Sequence, residues 1–330
     1  MQGHRGVNAN RRMKVIKTDG SLMAGPEHLA HFDGLDVEFI DQPFVTEDAL
    51  IAHCSDADAL MVLKEPITAR VIASLRHCKL ISRFGVGLDV VDVEAATRAG
   101  IRVTNVPDGN VEEVSTHAMA MILMLARKLR PYDAAVRAGR WKVLPVGEGV
   151  RRENAQTLGI VGFGRIGSRV AKKAKAFGYR MVACDPCLKP ELLRAEGVEP
   201  MGFDELVACA DVVSLHVPRT PETLNMMSAA AIARMKPGAV LINVSRGGLL
   251  DEAALALALT SGHLSGAGLD TLAQEPPAPD NPLLALDNVI LSPHAAHYSA
   301  QSYSEVLHKS FANVAAVLKG QTPAYPVNFL

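Results

Sequence analysis

Short β-branched apolar runs alternate twice with stretches of helical character along this 330-residue chain, and that alternation restricts the fold more than any other feature. Between 14 and 106 the runs are KVI, VEFI, ALMVL, LISRF and IRVTNV, separated by segments such as TEDALIAHC and TARVIASLRHC. A second series, TLGIV, RMVACD, DVVSLHVP, AVLINVS, GAGLD and NVILS, supplies six further strand candidates. Strands joined through helices run parallel, because each crossover returns the chain to the same end of the sheet. The expected class is α/β, with two doubly wound parallel-sheet domains, and the length suits two domains better than one.

The first series ends at VPDGN, 106–110, after which an apolar helical pattern runs over 111–129. Asn110 is its candidate N-cap, and Glu112 and Glu113 suit the positive end of the helix. A Gly- and Arg-rich stretch, 138–155, precedes the second series, and SAQSYSEVLHKSFANVAAVLKG closes the pattern as an amphipathic helix.

Composition narrows the partners. Thirty-four basic and 35 acidic residues leave a net charge of -1, which generates no field to draw nucleic acid or an anionic membrane. The longest apolar run, AMAMILMLA at 118–126, is far short of the roughly 20 residues a bilayer requires and reads as a buried helix. A small-molecule substrate is expected, with no nucleic acid and no membrane. Residues 1–12 are polar, carry Arg5, Arg11 and Arg12, and lack the apolar core of a secretory signal, so they read as a disordered extension. Five cysteines, an odd number without a disulfide framework, suit the cytoplasm.

In GIVGFGRIG, Gly162, Gly164 and Gly167 fall as G-x-G-x-x-G between a strand run and a helix starting near Arg165. The first two glycines permit a tight turn and close approach to a pyrophosphate, and the third lets the helix pack on the strand. Asp185 lies at the end of the next strand, near the ~20-residue interval of the dinucleotide fingerprint. A carboxylate there accepts from both ribose hydroxyls and repels a 2′-phosphate, which favours NAD over NADP. Cys184 and Cys187 flank Asp185 as C-x-x-C, but no second pair accompanies them, and no metal is expected.

Ligands of open parallel sheets sit beyond the carboxyl ends of the strands. Three late runs each deliver polar residues there: Ser245 and Arg246, then Asp270 and Glu275, then His294. Reduction of a carbonyl needs a proton donor tuned near working pH, for which His294 is the candidate. A carboxylate such as Glu275 would hold its tautomer, and the guanidinium of Arg246 would bind a substrate carboxylate beside the reacting carbonyl.

The segments RFGVGLD (83–89), TNVPDGNVEE (104–113), GIVGFGRIG (159–167), PRTPET (218–223), NVSRGGLLDEAAL (243–255), GAGLDTLAQEPP (266–277) and NVILSPHAA (288–296) resemble the D-isomer-specific 2-hydroxyacid dehydrogenases, in family order. The resemblance implies exchange of a hydride between NAD(H) and C2 of a small 2-hydroxy or 2-oxo acid, with Arg246, Glu275 and His294 as the catalytic set. It implies cofactor contacts from Arg165, Ile166, Pro218 and Thr223 as well, and one between Asp270 and the nicotinamide amide. It implies a flavodoxin-like substrate domain, 13–104 with 298–330, into which a Rossmann domain, 105–297, is inserted. From the substrate domain the Gly85–Gly87 loop, with Val86 and Gly87, would offer amides to the substrate carboxylate across a cleft. Arg83 and Lys64, at strand ends on that side, are further substrate-binding candidates.

Relatives of this kind pair through the long helix after the crossover, so a homodimer through 111–129 is expected, using Met119, Met121, Ile122, Met124 and Leu125. NVPDGNVEEV and PHAAHYSAQS look most like the C-terminal-binding-protein branch, whose animal members are corepressors that bind NAD(H), which makes an NAD(H)-sensing protein the alternative class. That branch has tryptophan at His297; many relatives have a hydroxyl residue at Ala118, where a cofactor contact is then lost, and glutamate at Thr116. A formate-type enzyme would pair its histidine with glutamine, against Glu275. No long C-terminal extension follows, which argues against a serine-feedback phosphoglycerate dehydrogenase and leaves a short one open.

Overall fold

The computed structural model describes residues 11–330, and their contacts divide the chain into two units, one running to Asn110 and resuming over Ser299–Leu330, the other spanning Val111–Tyr298. In the first unit β1 (Met13–Lys17), β2 (Val37–Asp41), β3 (Ala59–Val62), β4 (Leu80–Arg83) and β5 (Arg102–Thr104) form a parallel sheet in the order β2-β1-β3-β4-β5. Its inner strand β3 is buried at all four positions, as a strand covered on both faces must be. Thr46, Thr68 and Asp92 end three of the strand-to-helix loops and accept from the amides of Ala49, Val71 and Ala95, which settles where the helices start.

The closing helix, Ala300–Leu318, belongs to this unit. Ser299 caps it in a reciprocal pair with Ser302, and Phe311 packs 5.3 Å from Phe32 and 5.4 Å from Phe39. The expected boundary after 104 moves to 110. Asn105 Nδ2 donates to Val86 O at 2.8 Å, Val106 N to Gly85 O at 2.9 Å, and Asp108 pairs with Lys309 at 2.9 Å and accepts from Tyr325, so 105–110 is fastened to the first unit. The extension expected over 1–12 lies outside the described residues up to 10. Arg11 and Arg12 are not loose, because Arg11 pairs with Asp58 and Arg12 with Asp36.

The second unit is built on β6 (Thr157–Val161), β7 (Arg180–Cys184), β8 (Glu199–Pro200), β9 (Val212–Leu215), β10 (Ala239–Asn243), β11 (Leu264–Leu269) and β12 (Val289–Leu291). All pairings are parallel, in the order β12-β11-β10-β9-β6-β7-β8. Six of these strands coincide with the six expected runs. The seventh, β8, has two residues and a proline, too little for a periodicity to register, and sits at the edge where proline is tolerated. Strand order reverses between β6 and β9, the switch point beside which such sheets bind ligands.

The helix expected over 111–129 ends at Ala126, and a second one, Leu129–Arg137, follows a left-handed Lys128. Pro131 lacks the N–H that would continue the first helix and is tolerated only in the opening turn of a new one. Asn110 does not cap the first helix through its side chain, whose buried Oδ1 has no partner. The helix lies close against β11, where a Cβ on Gly268 would come within 3.0 Å of Met121. That approach buries Met119, Met121 and Ile122 in the unit's own core, so they are not the dimer surface expected of them; Met124 is the exposed one.

In the first unit His28, His31 and His308 cluster, with His31 Nε2 3.2 Å from His308 Nδ1 and the rings of His28 and His308 4.5 Å apart. Burial, then the neighbouring His308, holds His28 and His31 below their ordinary 6.5; Glu27 works the other way on His28, and Lys319 adds to the lowering on His31. The unfolded chain therefore takes up protons before the folded one, so this contribution to stability is complete above pH 6.5 and is lost as pH falls below it. Calorimetric Tm should decline on acidification below 6.5, and His308→Gln should make that decline shallower.

Candidate active site

The loop after β6 carries the glycine fingerprint. Gly162 is left-handed (φ 89°), and a Cβ on it would lie 2.7 Å from His216 O, so the turn admits no side chain. Gly167 sits where a Cβ would overlap Gly162 O, which lets the Arg165–Lys175 helix rest on the turn. Gly164, its N-cap, faces open space and its amide edge is free of a side-chain cap, as an anion cradle requires. Arg165 opens the helix, and Ile166 packs at the edge of the core. Asp185, just past β7, accepts from Phe163 N at 2.8 Å and Cys187 N at 2.9 Å, which ties the end of β7 to the glycine loop. These residues fit a dinucleotide.

Beyond β9, Thr223 Oγ1 donates to Pro218 O at 2.7 Å and accepts from Thr220 N at 2.8 Å, closing the 218–223 loop on itself. Beyond β10, Ser245 Oγ donates to Leu215 O at 2.7 Å, while Asn243 Nδ2 holds Arg246 O at 2.7 Å. The half-buried guanidinium of Arg246 donates from Nη1 to Ser245 O.

Beyond β12, His294 Nδ1 lies 2.8 Å from Glu275 Oε2, and Glu275 Oε1 accepts from Leu272 N at 3.2 Å. A carboxylate only accepts, so Nδ1 carries the proton and Nε2 is the nitrogen available for proton exchange. The two side chains are about a third exposed, at 33% and 37%, open enough for a ligand to reach. His294 is left-handed (φ 53°), a conformation costing on the order of 1–3 kcal/mol for a residue of this kind, which its neighbours must sustain.

Asp270 supplies that support. Its Oδ1 accepts from Ser292 Oγ and from Ala295 N at 2.8 Å, its Oδ2 from Ala296 N at 3.0 Å, and its own backbone O from His294 N at 2.9 Å. With 2% exposure, it stands in the structure as a buried brace of the histidine loop, a role its sequence position alone does not reveal. His216, past β9, is a second strand-end histidine that the sequence reading passed over. Burial pushes it down to about 3 and its Nε2 is engaged with Ser214 Oγ at 2.8 Å, so it stays neutral at ordinary pH. Ala118 is fully buried in the core rather than turned to a ligand, and Thr116 accepts from Lys173 Nζ at 2.6 Å. His297 lies edge-on to His294, ring centres 6.0 Å apart.

The remaining expected residues belong to the first unit. Arg83 ends β4 with its guanidinium over Gly85, Val86 O is held by Asn105, Gly87 follows in the same loop, and Lys64 follows β3. There the buried carboxylate of Glu65 accepts from Leu63 N and Lys64 N, shaping the turn that carries Lys64.

Residues 119–296 match the family model for the NAD-binding domain of D-isomer-specific 2-hydroxyacid dehydrogenases. The chain is 39% identical over 297 residues to a D-3-phosphoglycerate dehydrogenase of Mycobacterium leprae, covering 90% of this chain and 55% of that protein. It is 39% identical over 294 residues to a glyoxylate reductase of Korarchaeum cryptofilum, covering 87% and 88%. The chain thus spans about half the length of the phosphoglycerate dehydrogenases it matches. Among solved structures, a D-lactate dehydrogenase from Aquifex aeolicus complexed with NAD and lactic acid aligns with a TM-score of 0.85 and 31% identity, over 95% of this chain and 98% of that one.

Gly167→Ala should push the helix off the glycine turn. NADH affinity, measured by fluorescence titration, should fall by at least ~tenfold, an outcome that Ser168→Ala next to it should not reproduce.

Proposed function

The chain belongs to the D-isomer-specific 2-hydroxyacid dehydrogenases, and on that premise we propose that it is an NAD-dependent 2-oxo acid reductase, working in reverse as a D-2-hydroxyacid dehydrogenase, on a small acid of the glyoxylate or hydroxypyruvate kind. The observation that carries this reading is the 2.8 Å bond from His294 Nδ1 to Glu275, in the same unit as a dinucleotide fingerprint that ends in Asp185.

The nicotinamide, when bound, supplies or receives the hydride that substrate C2 gains or loses. Gly162, Gly164, Arg165, Ile166 and Gly167 would hold the pyrophosphate end of the cofactor, Asp185 its ribose, and Pro218, Thr223, Ser245, Asp270 and His294 the remainder. His294 Nε2 gives a proton to the substrate oxygen during reduction and takes it back during oxidation. Glu275 keeps the proton on Nδ1 and so holds the tautomer that leaves Nε2 for proton exchange. Arg246 binds the substrate carboxylate and polarises the adjacent carbonyl. In the first unit, Val86 and Gly87 are proposed to offer amides to a substrate carboxylate, with Arg83, and more weakly Lys64, adding positive charge. A phosphorylated acid is the second reading, favoured by the identity to phosphoglycerate dehydrogenases and by these two cations.

A homodimer is part of the proposal. Its surface is better placed along the exposed apolar side chains Met124, Leu129, Val136, Trp141, Val143 and Leu144 than on the buried face of the Val111–Ala126 helix. A cytoplasmic setting accords with five cysteines that are all free, and among the described residues no helix is long and apolar enough to cross a membrane.

One NADH-oxidation screen across glyoxylate, hydroxypyruvate, pyruvate, longer 2-oxo acids and a phosphorylated 2-oxo acid tests the reading. Turnover is expected with at least one small acid, lost by at least ~10³-fold in His294→Asn. Arg83→Ala should raise KM for the preferred acid. Tight NADH binding with background turnover on every acid would instead identify an NAD(H)-sensing protein. Light scattering at micromolar concentration should return twice the 35.2 kDa of the chain, and a monomeric mass would remove the dimer.

A further inference from the structure

We infer that His117 and Ser292 are positioning residues for the acid–base histidine, acting in series through Asp270. The inference rests on the reading of His294 given above and extends it to a side chain on the helix that packs behind the sheet.

Ser292 Oγ is 2.5 Å from Asp270 Oδ1 and 2.9 Å from His117 Nε2. The hydroxyl has one hydrogen, and Asp270 as a carboxylate can only accept, so that hydrogen goes to Asp270. Ser292 must then accept from His117, which places a proton on His117 Nε2. The direction of every bond in the chain from His117 to Ser292 to Asp270 follows from that count. His117 Nε2 is also 3.8 Å from the same carboxylate oxygen, the only charged group paired with it among the described residues.

Asp270 is where the series reaches the histidine loop. The oxygen that Ser292 fixes, Oδ1, is the one that accepts from Ala295 N, while Oδ2 accepts from Ala296 N. Those two amides immediately follow His294, so the carboxylate sets the peptide plane from which the left-handed His294 departs. The direction of the imidazole toward Glu275, and of Nε2 toward a ligand, depends on that plane. Without Ser292 and His117 the carboxylate keeps its two backbone partners but loses the short hydroxyl bond that, with them, fixes its rotation. The result is a histidine present but loosely aimed, to which proton transfer is sensitive at the level of a single ångström.

The same arrangement explains why His117 stands on the Val111–Ala126 helix. Gly268 in β11 allows that helix to approach the sheet closely, and His117 lies one helical turn before Met121, the residue at the contact. The half-exposed ring thereby reaches the carboxyl ends of β11 and β12, where Asp270 and Ser292 stand.

Ser292→Ala, Ser292→Thr, His117→Ala and the His117→Ala/Ser292→Ala double variant test the inference in the full chain. Ser292→Ala should lower kcat roughly tenfold with KM and NADH affinity within about twofold, and Ser292→Thr, which keeps the hydroxyl, should restore most of the loss. His117→Ala should reduce kcat in the same direction, and the double variant should lose no more than the worse single variant, as members of one series do. Independently of any turnover, the ¹⁵N-resolved imidazole resonance of His294, assigned by its absence in His294→Asn, should shift or broaden in Ser292→Ala and return in Ser292→Thr. Unchanged kcat and an unmoved His294 resonance in both single variants would overturn the inference. So would a double variant whose loss equals the product of the singles, or a loss that follows Tm and is not rescued by threonine. If the wild-type chain reduces none of the acids, the proposed function falls while the resonance still decides the positioning.

Discussion

In an all-parallel sheet every strand ends at the same edge, and the rest of the second unit depends on that constraint. Gly162, Asp185, His216, Ser245, Asp270 and Ser292 come from positions far apart in the chain, yet each lies within two residues of the end of a strand and is delivered to one edge. No long-range design is needed to gather them; hydrogen-bonded register does it. The reversal of strand order between β6 and β9 then opens the edge at one place, because the helices on either side depart in opposite directions.

Gathering residues at an edge does not orient them, and orientation is carried by buried polar groups. Asp270 is the clearest case: a nearly inaccessible carboxylate whose oxygens are met by Ser292, Ala295 and Ala296. Asp211 does comparable work at the opposite end of the sheet. Burial raises its pKa, but Thr157 N, Arg151 and Lys236 outweigh that and leave it lowered, so it stays ionised and ties the start of β6 to its surroundings. In the first unit Lys17, at 1% exposure, is held by Asp19 and Asp41 at the end of β1. A buried charge is tolerated only when its partners are fixed, so each of these groups also makes its neighbourhood rigid. The two strand-end histidines differ accordingly: desolvation holds His216 neutral with its Nε2 on Ser214 Oγ, whereas His294 is a third exposed and paired with a carboxylate.

Local sequence was informative where a feature depends on near neighbours. The G-x-G-x-x-G turn, the Asp185 position, eleven of the twelve strands and the closing amphipathic helix are short-range patterns, and the structure contains each of them. The pairing of His294 with Glu275 was anticipated from strand ends and family motif together, and the 2.8 Å separation is its geometric expression. Features set by a competing partner far along the chain carry no local signal. The 111–129 helix pattern continues through Lys128 in composition but stops there in space, where Pro131 demands a fresh start. Its methionines looked available for a partner chain because nothing local says that Gly266 and Gly268, some 150 residues away, admit the helix to the sheet. Likewise 105–110 looked like the opening of the second unit until Lys309 and Tyr325 claimed Asp108.

The sequence by itself determined the α/β class, the dinucleotide turn and the strand-end placement of Arg246, Glu275 and His294, because strand periodicity, glycine spacing and strand-end position are all written within a few residues. Only the tertiary structure decided how those groups are aimed. The left-handed His294, the brace by Asp270, the bonds from Ser292 and His117, and the neutral His216 all arise from contacts between segments that are distant in sequence. Such contacts depend on burial and on which donor finds which acceptor, and neither is a property of any one stretch of chain.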